Sequence, residues 1–239
     1  MDDLRILGLI PARGGSKSIP QKNIAPLGGK PLIAWTCAAA LGARRLSRTI
    51  VSTDDDAIAA AAEAHGVAAP FRRPAPLSGD QATSAAAALH AVDWLRRHEG
   101  WQADILVLLQ PTSPLRTAAH IDAALELMLA RGAETVVSVV PVPHRMSPFS
   151  IMQEKDGRLE YFWTQPLPFD RFLRQAHPKL FARNGPGVLA VRVPVLLARN
   201  GFYGEHTVGY VMDEDSSIDI DGPHDLALAA AALARRGTA

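Results

Sequence analysis

One cysteine in 239 residues leaves no second thiol for a disulfide and no cysteine cluster for zinc. Cys37 lies in an apolar stretch and reads as core packing, the usual place of a free cysteine. Long apolar runs are missing too: none approaches the roughly 20 residues that a membrane-spanning helix requires. The formal net charge is only +1, which provides no broad positive field for nucleic acid. Met1-Asp2-Asp3 is acidic and lacks the basic start and apolar core of a secretory signal, so a cytoplasmic protein is expected. Two phosphate-binding signatures are absent as well, G-x-x-x-x-G-K-[ST] and G-x-G-x-x-G. Eight histidines are scattered without a close pair at ligand spacing, and none is assigned to a metal or a triad.

What is present is an alternation. Apolar strand-length runs at 4–10, 49–52, 105–109 and 135–140 are separated by alanine-rich helical patterns at 32–43, 57–65, 84–98 and 121–131. Strand, helix, strand, helix predicts an α/β fold with a mostly parallel sheet and helices on both faces. The length suits one domain, residues 1–239, with a core of its own. The rhythm breaks after Pro141. Residues 141–181 are rich in proline and aromatics, with a Lys155-Asp156-Gly157-Arg158 turn between two short extended candidates, and read as an insertion or arm. A last helix is expected over 223–236, with Pro223 in its first turn.

Four loops carry chemistry. The first strand ends at Pro11 and runs into Ala12-Arg13-Gly14-Gly15-Ser16-Lys17, then Lys22-Asn23. Glycines at the carboxyl end of a strand let backbone N–H groups approach phosphate oxygens, and Arg13, Lys17 and Lys22 add cations; a triphosphate held by side chains fits best. After the second strand, Asp54-Asp55-Asp56 is read as a helix cap rather than a metal site. After the third, Gln110-Pro111-Thr112-Ser113-Pro114-Leu115-Arg116 sets an amide, two hydroxyls and a guanidinium on one braced loop, able to read the hydroxyls or carboxylate of a polar substrate; the alternative is that Thr112 or Thr117 merely caps the next helix. Finally, Ser217-Ile218-Asp219-Ile220-Asp221, taken as a short strand, puts Asp219 and Asp221 on one face and the isoleucines toward the core. Paired carboxylates repel unless a cation separates them, which suits Mg²⁺ (or Mn²⁺) shared with substrate phosphates. The alternative is Asp221 as an N-cap.

In this order the four loops resemble the acylneuraminate cytidylyltransferases: Ile10-Pro11-Ala12-Arg13 through Lys22-Asn23, Val51-Ser52-Thr53-Asp54, the Q-P-T-S-P-L-R string and the S-I-D-I-D string. The resemblance implies a Rossmann-like nucleotidyltransferase moving CMP from CTP to the anomeric hydroxyl of a nine-carbon 2-keto sugar acid, with release of pyrophosphate. It implies Arg13, Lys17 and Lys22 as catalytic cations on the triphosphate, with Gly14, Gly15, Ser16 and Asn23 on the nucleotide and Ala82 and Ser84 on the base. Gln110, Thr112 and Ser113 would face the sugar acid, and Asp219 and Asp221 would hold the metal. The insertion resembles a dimerisation arm. Within it Arg174, Gln175, Pro178 and Phe181 keep an R-Q-x-x-P-x-x-F spacing, followed by Asn184, so Arg174, Gln175 and Asn184 would complete the sugar site, Arg174 in the partner of a homodimer. Alternatives within the fold are an eight-carbon acid such as Kdo or GTP as donor, and outside it a non-catalytic nucleotide-binding homologue. Two departures fall near the sugar: Phe181-Ala182-Arg183-Asn184-Gly185 stands where sialate-specific members read F-R-x-N-G, and the arm lacks a lysine near His144-Arg145-Met146-Ser147-Pro148.

Overall fold

A computed structural model describes residues 4–16, 18–185 and 187–237. In chain order the elements are β1 (Ile6–Pro11), β2 (Pro26–Leu27), β3 (Lys30–Pro31), α1 (Leu32–Gly42), β4 (Arg48–Ser52), α2 (Asp56–Glu63), α3 (Ser84–Glu99), β5 (Ile105–Leu108) and α4 (Ala118–Ala130). The chain continues through β6 (Thr135–Pro141), β7 (Met152–Lys155), β8 (Arg158–Tyr161), β9 (Phe181–Arg183), β10 (Leu189–Arg192), α5 (Val193–Arg199), β11 (Thr207–Val211) and α6 (Pro223–Arg235).

The main sheet runs β11-β6-β10-β5-β1-β4, with β9 added against β6. β4, β1 and β5 are mutually parallel, as are β6 and β11, while β10 and β9 run antiparallel to their neighbours. The two-residue period of a strand explains the layers. Ile6 and Ile10 of β1, with Ile105 and Val107 of β5, pack under Ile33 and Cys37 of α1, Ile58 of α2 and Ile121 and Leu125 of α4. The alternate residues Leu7, Leu9, Leu106 and Leu108 meet Ala88, Ala91 and Leu95 of α3 and Leu196 of α5 on the other face. Strands covered on both sides read as continuous apolar runs, which is how β1 and β5 appear in the sequence. Burial pushes the Cys37 thiol up to about 12, so it stays protonated and belongs to the core.

Two features set the site. Successive strands move one way from β1 to β4, then cross to the other side of β1 for β5, so the loops leaving β1 and β5 diverge and open a crevice at their carboxyl ends. Second, α6 packs through Leu233 and Ala229 on Leu27, Leu32, Leu115 and Ile220, drawing residues 217–221 to the same edge.

Between β6 and β9 the chain makes the excursion expected over 141–181. β7 and β8 pair through a turn with Asp156 and Gly157 at φ 51° and 75°, the left-handed pair of a tight hairpin. Behind the hairpin Phe149 meets Trp163 and Phe169 edge-on, and the Arg171 guanidinium lies 3.9 Å over Tyr161. No helix among the described residues is long and apolar enough to cross a membrane.

Candidate functional site

The crevice is a cleft of about 440 Å³ lined by Arg13, Lys22 and Asn23 from the first loop, Gly79, Ala82 and Ser84 from the stretch before and into α3, and Gln110 and Thr112 after β5. Three loops far apart in sequence therefore share one wall-to-wall space, as the motifs require. Ser16 lines it too, whereas Lys17 lies outside the described residues.

Local chemistry shapes the first loop. The Gly14 N–H donates to Asp54 Oδ1 (3.1 Å), and the Asn23 amide donates to the Arg13 carbonyl (2.9 Å), so the loop is tied at both ends. A Cβ on Gly14 would stand 2.8 Å from Asp55 Oδ2, which explains glycine there, while Gly15 has open space around it. Arg13 crosses the cleft to the Gly79 carbonyl (3.1 Å) and Asp80 Oδ1 (3.2 Å), joining the phosphate-type loop to the 79–84 segment. Of the acidic triplet, Asp55 is the cap of α2, accepting from the Ile58 N–H (3.0 Å), as expected. Asp54 instead holds the loop.

Lys22 joins the two halves of the site. Its ammonium donates to the Ile220 carbonyl (2.8 Å), between the two aspartates, and the Ile220 N–H donates to the Thr112 carbonyl (2.8 Å). Residues 218–221 are not the strand expected. A 3₁₀ turn, Asp215–Ser217, leads into an extended link, with Ile220 buried, Ile218 and Asp219 half-buried and Asp221 exposed. Nor is Asp221 the cap of α6: that position is Gly222, and Asp225 Oδ2 reaches back to the N–H groups of Asp221 (3.0 Å) and Gly222 (2.8 Å). Both alternatives for Asp221 as part of a regular element fail because Asp225 satisfies the helix start, leaving both carboxylates for other use.

Asp219 is the notable group. Its Oδ1 is buried without a hydrogen-bond partner. Burial raises its pKa, opposed by the Thr112 hydroxyl and Lys22 and reinforced by Asp221. An orphaned buried carboxylate oxygen beside a second carboxylate is costly unless a cation is shared. The pair fits a hard divalent ion, with phosphate and water completing its shell.

Several expected residues are placed elsewhere. Ser113 is fully buried and does not line the cleft, because the proline-flanked turn points its hydroxyl inward. Arg116, 2% exposed, cannot read a substrate: it donates to the carbonyls of Gln110 (3.2 Å) and Gly187 (2.8 Å) and to Thr36 Oγ1 (2.7 Å). With no carboxylate beside it, burial lowers its pKa to about 9. Thr117, not Thr112, caps α4, and His120 completes the capping box. Asn184 is 5% exposed and its amide is spent internally. Arg174 and Gln175 sit in a 3₁₀ turn of the arm, away from this cleft. Arg174 lines a second cavity of about 570 Å³ with His144, His177 and Phe181. The rings of those two histidines, 33 positions apart, meet at a tilt of 39° with centroids 4.8 Å apart, a proximity that spacing along the chain does not reveal. Arg183, the arginine displaced by one position, lies on the opposite face of β9 from Ala182 and donates to the Tyr203 hydroxyl (3.1 Å).

Among the cleft residues that escaped the sequence reading, Arg73 carries the charge. Arg73, 7% exposed, lines the cleft with its Nε on Ser78 Oγ (3.3 Å) and its guanidinium 3.7 Å from Asp54; burial lowers its pKa and Asp54 opposes that. It stands in Phe71-Arg72-Arg73-Pro74, a string without a phosphate-loop signature.

Residues 7–230 match the family described as Cytidylyltransferase. The chain is 34% identical to an N-acylneuraminate cytidylyltransferase of Escherichia coli O18:K1:H7, over 94% of this chain and 51% of that protein. It is 36% identical to a CMP-N,N'-diacetyllegionaminic acid synthase of Legionella pneumophila, over 94% of each. It thus spans about half the length of the first relative and nearly all of the second. A CMP:2-keto-3-deoxy-manno-octonic acid synthetase solved with CTP shares the fold, with a TM-score of 0.70 at 20% identity, covering 97% of this chain and 99% of that one. A 4-diphosphocytidyl-2C-methyl-D-erythritol synthase shares it too, with a TM-score of 0.68 at 15% identity over 98% of this chain and all of that one. The expected Rossmann-like α/β architecture is thereby borne out, and the chain belongs to the cytidylyltransferase family.

Proposed function

We propose that the protein transfers CMP from CTP to the anomeric hydroxyl of a nine-carbon 2-keto sugar acid of the N-acylneuraminate or legionaminate type, releasing pyrophosphate. The observation that carries this is the Lys22 bridge: Lys22 lines the cleft and its ammonium donates to the Ile220 carbonyl, which tethers the Asp219–Asp221 segment beside the basic loop. Similarity to the two nonulosonate-named relatives supports the sugar class.

The oxygen of the sugar hydroxyl bonds to the α-phosphorus as the bond to the bridging oxygen of pyrophosphate breaks, and the hydroxyl proton leaves. Arg13 and Lys22, with Lys17, hold the triphosphate and balance the charge that grows on the departing pyrophosphate; positioning and preorganised charge do the catalysis. Arg13 exchanges Asp80 for phosphate as the nucleotide enters. Gly14, Gly15 and Ser16 offer backbone and hydroxyl donors to the phosphates, Asn23 contacts the nucleoside, and Ala82 and Ser84 read the base at the start of α3. Arg73 adds a buried cation at that end. Gln110 and Thr112 orient the sugar acid. Asp219 and Asp221 would hold Mg²⁺ (or Mn²⁺), which supplies charge neutralisation on the phosphates and lowers the pKa of a bound hydroxyl.

The arm completes the assembly. Phe172 is 83% exposed and Leu159 67%, on a segment where Phe162 and Leu173 are also uncovered, and large exposed apolar side chains of this kind support a subunit contact there. In a homodimer it would bring Arg174 and Gln175 to the partner's sugar pocket.

Pyrophosphate release with CTP, Mg²⁺ and a panel of nonulosonic acids tests the reading. Turnover is expected with a nine-carbon acid and at least about a hundredfold less with Asp221→Asn, the scale of losing one charged transition-state contact. Turnover only with Kdo, or thermal stabilisation by GTP and not CTP, would replace the substrate assignment, because a ligand that binds only the native state raises its melting temperature. An Asp221→Asn enzyme as active as the parent would overturn the metal assignment.

A further inference from the structure

The two residues that follow β9, Asn184 and Gly185, do not line the cleft, yet Gly185 packs against Asp219 and Asn184 bonds to the turn just before it. Every polar atom of the Asn184 side chain is engaged. Its Oδ1 accepts from the Ser138 hydroxyl (2.6 Å) and the Gly187 N–H (3.3 Å), and its Nδ2 donates to Ser217 Oγ (2.8 Å) and approaches Met212 Sδ (3.4 Å). Ser217 in turn donates to the Asp213 carbonyl (2.6 Å). One buried amide therefore ties β6, the entry to β10 and the turn that precedes Asp219. Gly185 faces Asp219 directly. At φ 94° it occupies backbone space that side chains rarely enter, and a Cβ there would stand 2.5 Å from Asp219 Cγ and 2.6 Å from Oδ2.

We infer that Asn184 and Gly185 are positioning residues that form a socket for the Asp219 carboxylate, Asn184 by anchoring the backbone two residues ahead of it and Gly185 by the absence of a side chain. The inference rests on the reading of Asp219 as a metal ligand. Asp219 Oδ1 is buried with no hydrogen bond to fix the carboxylate's rotamer, so the backbone packed along the Cγ–Oδ2 edge must hold it. Gly185 leaves open the space that the carboxylate occupies, since a Cβ there would overlap it, and the asparagine keeps the Ser217 turn in register. Groups that orient a ligand in this way typically change metal affinity 10- to 100-fold when removed.

The test uses Asn184→Ala and Gly185→Ala in the full chain, with Ser217→Ala, which deletes only the hydroxyl that accepts from Asn184. Mn²⁺ binding to the enzyme with CTP and no sugar acid is followed by electron paramagnetic resonance, and CTP binding in EDTA by thermal shift. The socket predicts that the apparent Kd for Mn²⁺ rises about tenfold in Asn184→Ala and Gly185→Ala and less in Ser217→Ala, while the metal-free CTP shift stays at the parent value. Folded variants that bind Mn²⁺ as the parent does would overturn it, as would loss of CTP binding in EDTA. If neither alanine variant at 184 or 185 folds, Ser217→Ala decides, an unchanged Mn²⁺ affinity counting against the socket. Asp219→Asn is measured alongside. If it binds Mn²⁺ like the parent, the metal reading of Asp219 fails; if it loses Mn²⁺ and the socket variants do not, the socket alone fails.

Discussion

A buried arginine with no acid beside it shows how much of this site is backbone architecture. Arg116 contributes three hydrogen bonds, to Gln110 in the loop after β5, Gly187 in the loop before β10 and Thr36 of α1. Its charge is offset by carbonyl dipoles rather than by a carboxylate. Substitution by leucine would strip the Gly187 carbonyl of its guanidinium partner. It would also take one donor from the Gln110 carbonyl, which keeps the Ser113 N–H and the Thr36 hydroxyl. Each charge-assisted bond is worth about 1.5–3 kcal/mol. Arg116→Leu is therefore expected to lose about 3 kcal/mol of stability in urea unfolding; a loss below about 1 kcal/mol would show that water or another donor replaces the guanidinium. Arg73 has the opposite character, since its buried head borders the cleft and has Asp54 for company. The two arginines look alike in sequence. Only the folded chain distinguishes the brace from the cleft-lining group.

Among the elements, α4 holds the pH-sensitive cap. The Thr117 N–H donates to His120 Nδ1 (3.3 Å), and the His120 N–H donates to Thr117 Oγ1 (3.4 Å), so the ring nitrogen must be unprotonated. Burial lowers the His120 pKa; Asp213 opposes this, while Arg236 and Arg116 add to it. With the folded pKa below the ordinary value of about 6.5, the unfolded chain binds the proton more readily. The cap's contribution is thus complete above about pH 6.5 and is lost as pH falls through the window down to the folded value. His120→Gln keeps an acceptor that does not titrate. Between pH 8 and pH 5.5 the parent is expected to lose about 0.5–1 kcal/mol more stability than His120→Gln, read from thermal melts; equal losses would remove His120 from the account. Elements of this kind were the legible part of the sequence. β1, β4, β5, β6 and the helices between them follow from period and composition because each is buried by its own chain neighbours. β10 and α5 were not recognised: Leu189–Arg192 runs straight into Val193–Arg199 without a turn, and an apolar run crossed by a proline gives no period to read. The loops after β1 and β5 were legible as a site because strand ends place them. Ser113, Arg116 and Asn184 were misjudged for one reason: polarity in a loop says nothing about which way a side chain turns.

At the scale of the whole molecule, the segment between β6 and β9 carries a hairpin exposed on both strands and an aromatic cluster of its own, yet leaves Phe172 and Leu159 to solvent. Charges on that surface should prevent association while leaving the cleft, which the segment does not line, intact. Leu159→Glu with Phe172→Glu is expected to sediment as a monomer, to keep the CTP-induced thermal shift and to lose sugar-dependent turnover. A doubly charged variant that remains dimeric would put the subunit contact elsewhere.

The antiparallel β10 lies between β5 and β6, in the middle of the sheet, although it is almost the last strand in the chain. Until residues 189–192 arrive, β4-β1-β5 and β6 are two fragments with raw edges facing each other, and the long excursion through the arm delays that arrival. Completing the sheet therefore requires a strand to insert at its centre, a non-local pairing of the kind that closes slowly. The loop that carries Asn184 and Gly185 leads into that strand, so the insertion that joins the two halves of the sheet also brings up the backbone against which Asp219 sits.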